Sequence, residues 1–270
     1  MRKSSPRGVH LTNAMIRSPA PFATDTPLAT RLFPAANFGD RRGRSPEILL
    51  LHYTGMPSAE AAIRWLAAQE SQVSCHYVID EAGAITQMVP EGLRAWHAGL
   101  SLWDGIDDVN SRSIGIEIHN PGHGCGYPEF PDAQMTAVEA LCLDIANRHR
   151  ILPRHVLAHS DVAPRRKIDP GEKFDWARLA RAGIGHWVDP APVAGDKSLA
   201  RGNRGAPVLL LQEKLRSYGY GAGVTGEYCE DTECVVAAFQ RHFRPALVDG
   251  RADRSTLDTL EALLAALPAS

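Results

Sequence analysis

Apolar and polar positions follow two rhythms along this chain, and the change of rhythm divides it. Before residue 186 short strand-like runs mix with helical stripes; after residue 207 only helical stripes remain. Ile48–Leu51 is a continuous apolar run suited to a buried strand, and it stops at His52. Ser58 is placed to cap a helix through AEAAIRWLAAQ, with Glu60 near its positive end. Cys75–Ile79 and Ile85–Val89 flank Asp-Glu-Ala-Gly and predict a hairpin. Ser113–Asn120 alternates strictly. Ile114, Ile116 and Ile118 therefore share one face, and Gly115, Glu117 and His119 the other. Asp132 is the expected cap of a long helix striped by Met135, Val138, Leu141, Cys142 and Ile145. Val156–His159 reads as another short strand ending on a histidine. This order predicts an α/β domain, a mixed central sheet flanked by helices.

The stretch from His186 to Pro207 is rich in Pro, Gly and polar residues and carries no apolar period, so it reads as a linker. Beyond it, VTGEYCEDT and VDGRADRST repeat the pattern Val-x-Gly-x4-(Asp/Ser)-Thr, each ahead of an apolar-striped helix. Asp231 and Ser255 are the expected caps, Ser255 with Asp258 as a capping box. A further helix over Val208–Leu215 completes a small three-helix, all-α unit. The expected division is an N-terminal arm over 1–28, an α/β domain over 29–187, a linker over 188–205 and the helical unit over 206–268.

Composition narrows the partners. Among 270 residues, 44% are hydrophobic and 22% charged, with a formal net charge of -2, which argues against nucleic acid held by bulk electrostatics. No apolar run approaches the roughly 20 residues that span a bilayer. The basic N-terminus lacks the apolar core of an export signal, and the five cysteines (Cys75, Cys125, Cys142, Cys229, Cys234) form no framework spacing. Both features favour a reducing compartment.

His52 and His159 at strand ends, with Asp169 in a loop, make the three-ligand set of a catalytic zinc site. Pro170 keeps Asp169 out of helix, and Lys167, two residues earlier, faces the same way in extended chain. A lysine there would meet negative charge developing on an attacked carbonyl. Glu117, on the polar face of an apolar strand, is the candidate general base. Taken singly, each has a plain structural explanation: a strand-end His, a solvated Glu, a basic loop Arg165-Arg166-Lys167.

Together, LLLHYTG, SCHYVID, RAWHAG, SIGIEIHN and LAHSDVAPRRKIDPG resemble the type 2 N-acetylmuramoyl-L-alanine amidase family, whose fold is shared with phage amidases and peptidoglycan recognition proteins. The resemblance covers roughly residues 30–185 and implies Zn2+ on His52, His159 and Asp169, Glu117 as base and Lys167 as oxyanion stabiliser. It also implies muropeptide contacts from Arg94 and His97, and Asn120 in the cleft, with Trp96 as packing. Cys75 is read as a small buried hydrophobe without a role. The C-terminal pattern PVLLLQEKLRSYGY…VTGEY…AAFQRHF…VDGRADRSTL resembles a peptidoglycan-binding domain. The implied function is zinc hydrolysis of the bond between muramic acid and L-alanine in peptidoglycan or muropeptide fragments, by a monomer. The alternative on this fold is a non-catalytic recognition protein, which typically lacks a zinc ligand. A wall-binding domain points to the envelope, the location this reading favours, and the missing export signal taken at face value points to the cytoplasm.

Overall fold

The computed structural model describes residues 22–193 and 198–268. In chain order the strands are β1 (Arg31–Leu32), β2 (Phe38–Gly39), β3 (Ile48–Tyr53), β4 (Tyr77–Ile79), β5 (Ile85–Gln87), β6 (Arg94–Ala95), β7 (Ser113–Ile118), β8 (Val156–Ala158), β9 (Ser198–Leu199) and β10 (Ala252–Asp253). The helices are α1 (Ala59–Ala67), α2 (Val109–Arg112), α3 (Asp132–His149), α4 (His159–Val162), α5 (Trp176–Arg181), α6 (Ala206–Tyr218), α7 (Glu230–Phe243) and α8 (Arg254–Ala265). Among the described residues no helix is long and apolar enough to cross a membrane.

A six-stranded mixed sheet runs in the order β1-β5-β4-β7-β3-β8. The expected hairpin forms, with Val78 opposite Thr86, while β4, β7, β3 and β8 pair in parallel. Alternation along β3 and β7 sorts the two faces. Leu49, Leu51, Ile114, Ile116 and Ile118 join the core under α3, where Met135, Val138, Leu141, Cys142 and Ile145 are all buried. Ile48, Leu50 and Leu157 join a second core. That second core also holds Val208, Leu211, Tyr220, Phe239 and Leu260 of the C-terminal helices, so the helical unit is packed onto the sheet domain rather than tethered to it.

Several expectations are corrected by this packing. Of the proposed arm, residues 1–21 lie outside the described chain, but Asp25 bonds Gln87 and the Glu91 amide, and Thr26 is buried. Of the proposed linker, residues 194–197 lie outside it, while β9 pairs antiparallel with β10 and the Ala191 amide donates to Thr259. Ser58 caps α1 as expected. Asp132 instead opens the first turn of α3 behind Pro131, with its carboxylate paired to Arg178. Cys229 rather than Asp231 stands at the cap of α7, because the helix opens at Glu230 and leaves Asp231 in its first turn, paired with Arg165. Asp253 rather than Ser255 caps α8, accepting from the Thr256 amide, and Ser255 Oγ donates to Ala191 O.

Candidate active site

Parallel strands bring the site together at their carboxyl ends, where ligands commonly bind in open sheets. In the β3–β7 register His52 lies opposite Glu117, which puts both side chains on one face of adjacent strands. β8 ends at Ala158, and His159 opens α4 directly beside β3. Asp169 returns on the loop after α4, where its carbonyl accepts from the Ser160 amide at 3.1 Å.

The three expected ligands converge. His52 Nδ1 lies 2.8 Å from His159 Nδ1, and Asp169 Oδ2 lies 3.2 Å from the former and 3.0 Å from the latter. All three residues are buried, and they form a group able to hold a metal ion. Donors roughly 2.0 Å from a tetrahedral zinc stand about 3.3 Å apart, so the triangle has the right size.

The opposite edges of the rings show that these nitrogens are meant as lone pairs. His159 Nε2 donates to Ala98 O at 3.1 Å, leaving Nδ1 unprotonated in the neutral ring. Ser113 Oγ spends its proton on Val109 O at 2.7 Å and so accepts from His97 Nε2 at 3.3 Å. His97 Nδ1 is then bare and accepts from His52 Nε2 at 3.0 Å, which leaves His52 Nδ1 bare as well. Burial lowers the His52 pKa to about 4, keeping the ring neutral. Two imidazole nitrogens and a carboxylate oxygen suit Zn2+.

Glu117 is pushed the other way. Burial first, and then the Asp169 charge, raise its pKa well above the usual carboxylate value, opposed by Lys167. Its Oε2 is enclosed without a hydrogen-bond partner among the described residues. These groups line a cleft of about 410 Å³, with Lys167 and Arg166 on its rim and Met56, Trp65, Leu66 and Val73 forming an apolar wall.

Comparison with known proteins decides what the cleft belongs to. Residues 42–172 match the N-acetylmuramoyl-L-alanine amidase family and residues 204–260 a peptidoglycan binding domain. The N-acetylmuramoyl-L-alanine amidase AmiD of Escherichia coli (strain K12) is 38% identical over 230 residues, 81% of this chain and 82% of that protein. This chain belongs to the N-acetylmuramoyl-L-alanine amidase family. Among solved structures, E. coli AmiD in complex with anhydro-N-acetylmuramic acid-L-Ala-D-gamma-Glu-L-Lys superposes with TM-score 0.69 at 36% identity, covering 83% of this chain and 91% of that one. Pseudomonas aeruginosa AmpDh3 in complex with anhydromuramic pentapeptide gives 0.68 at 30% identity, covering 92% and 97%.

The other expected site residues of this amidase divide. His97 borders the cleft, with its two ring nitrogens bonded to His52 and Ser113. Arg94 is held by Asp108 and Ser111 and is not among the cleft-lining residues. Asn120 is buried with its amide closing a turn to Gly122 and Pro128, also away from the lining. Trp96, expected as packing, lies on the cleft wall. Cys75 is buried, and burial raises its thiol pKa well above the usual value, in keeping with a small hydrophobe. The apolar wall was missed. Its one sequence signal was Trp65, which falls outside the buried α1 stripe of Ala59, Ala62, Ile63 and Leu66.

Proposed function

We propose that this amidase uses zinc to hydrolyse the amide between the lactyl group of N-acetylmuramic acid and L-alanine of the stem peptide. The observation that carries this reading is the convergence of His52 Nδ1, His159 Nδ1 and Asp169 Oδ2 in the same cleft as Glu117, whose Oε2 is enclosed without a partner among the described residues. Zinc held by the three donors would supply a Lewis acid and a water of lowered pKa. The Glu117 carboxylate takes a proton from the attacking water and returns it to the departing nitrogen, and a raised pKa suits a group that must do both near neutrality. Lys167 adds positive charge for the carbonyl oxygen as it gains negative charge, a contribution of about 3 kcal/mol per donor in other enzymes. The wall of Met56, Trp65 and Leu66 offers apolar surface to the sugar and lactyl carbons.

The muropeptides named with the AmiD and AmpDh3 complexes support peptidoglycan fragments as the substrate class. The division into a catalytic part over 29–187 and a wall-binding part over 206–268 belongs to the same proposal, supported by the two family matches. The test is mass spectrometry of sacculi and of soluble anhydromuropeptides after incubation, with and without a zinc chelator. Chelator-sensitive release of free stem peptides is expected. A zinc-loaded protein that released none from either substrate would overturn the proposal in favour of recognition without catalysis.

A further inference from the structure

The α4 helix carries more than His159. Its Asp161, two residues on, is completely buried. Asp161 Oδ2 accepts from the Ala158 amide at 2.8 Å, closing the junction from which His159 projects. The same Oδ2 accepts from His242 Nδ1 at 2.6 Å, and Oδ1 accepts from the Tyr220 hydroxyl at 2.7 Å. Both of those donors come from the C-terminal helical unit.

Each donor is itself fixed against the sheet domain. The His242 ring stacks on Trp176 of α5 with centroids 3.7 Å apart. The Tyr220 ring meets Trp103 edge-on at 5.1 Å, and Trp103 fills the space that a side chain at Gly219 would need, since a Cβ there would lie 2.6 Å from the indole. On its other side α4 is tied to the third donor residue through the Ser160 amide and the Asp169 carbonyl. A shift of α4 therefore moves His159 directly and Asp169 with it.

We infer that Tyr220 and His242 are positioning residues of the metal centre, acting through Asp161, so that the C-terminal unit completes the active site as well as carrying any wall-binding surface. A carboxylate enclosed away from water needs its donors. Removing one leaves a buried charge underbonded, and the helix relaxes to satisfy it. The proposal rests on the metal-site reading above.

The test measures zinc affinity of the full chain by competition with a chromophoric chelator, together with the visible spectrum of the cobalt-loaded protein, which reports ligand geometry. Tyr220→Phe keeps the ring against Trp103 and deletes only the hydroxyl. It is expected to weaken zinc binding about tenfold, the lower end for groups that support metal ligands, and to alter the cobalt bands. His242→Ala should do the same, and His242→Asn, which returns a donor near the Nδ1 position, should recover part of the loss. Tyr218→Phe is the control, because it removes a contact of the same interface, to His186, without bonding Asp161. Its zinc affinity should match wild type. Wild-type affinity and cobalt spectrum in both Tyr220→Phe and His242→Ala would overturn the inference, leaving Asp161 as a docking contact only. A wild-type chain that bound no zinc would instead bring down the metal-site reading on which it rests.

Discussion

Gly115 owes its missing side chain to His97. A Cβ at this position would lie 2.5 Å from the His97 Cγ and Nδ1, and that ring is held between His52 and Ser113. Gly115→Ala must push the ring off His52, so the expected result is a stability loss of about 1–3 kcal/mol. Zinc affinity should fall about tenfold as well, because the bond that orients His52 Nδ1 is lost. Calorimetric unfolding and chelator competition check both, and an unchanged zinc affinity would show that His97 does not support the ligand. At this scale the sequence is partly legible. His52 and His159 at expected strand ends, Asp169 in a loop before Pro170 and Glu117 on a polar strand face are readable as candidates by residue type and place. The inward turn of His97 is not, because RAWHAG carries no sign of which way a ring nitrogen points.

Between elements, buried polar groups act as clasps. Gln212 and Gln240 occupy equivalent places in the repeated C-terminal pattern. Gln212 Oε1 accepts from the Thr225 and Gly226 amides while Nε2 donates to Thr232 Oγ1. Gln240 does the same with the Asp249 and Gly250 amides and Thr256 Oγ1. The Val-x-Gly…Thr echo was readable in the sequence, but the glutamines that close it lie outside the repeated string. Glu91 plays a similar part between the sheet and α3, accepting from Tyr77, Arg148 and His149. Burial would raise its pKa, but the bonds from Arg148, His149 and Tyr77 outweigh that and hold the carboxyl well below its usual range. In the unfolded chain Glu91 takes up a proton near pH 4. The native carboxylate resists doing so, and its stabilisation is present above that pH and is lost as the pH falls toward the native pKa. Glu91→Gln should therefore be less stable at pH 7 and show a flatter loss of stability below about pH 4.5 than wild type. Chemical denaturation across pH 2–7 reads this, and parallel curves for the two proteins would mean that Glu91 does not supply the dependence.

Across the whole molecule, the two rhythms of the sequence correspond to two structural layers that share a core. Periodicity located β3, β4, β5, β7 and β8 and the helices α1, α3, α6, α7 and α8, because each buries one face and faces leave a repeating trace; the two-residue strands and the short helices α2, α4 and α5 are too brief to leave one. It could not show that the far side of the sheet, through Ile48, Leu50 and Leu157, would be covered by helices beginning near residue 206. Contacts of that sequence separation leave no local pattern, and the Pro- and Gly-rich segment between them reads as a tether whether or not it is docked. The consequence is a single body in which the cleft, the α4 helix and the C-terminal helices are continuous. The central claim about that body is that its metal-binding triad and its proton-transfer group are separate parts. The most direct measurement is the zinc content and stem-peptide release of the full chain carrying Glu117→Ala. One zinc per chain, with turnover reduced by about 10²–10⁴-fold, is the result expected for a general base that is not a ligand. Turnover at the wild-type level, or loss of the zinc, would contradict it.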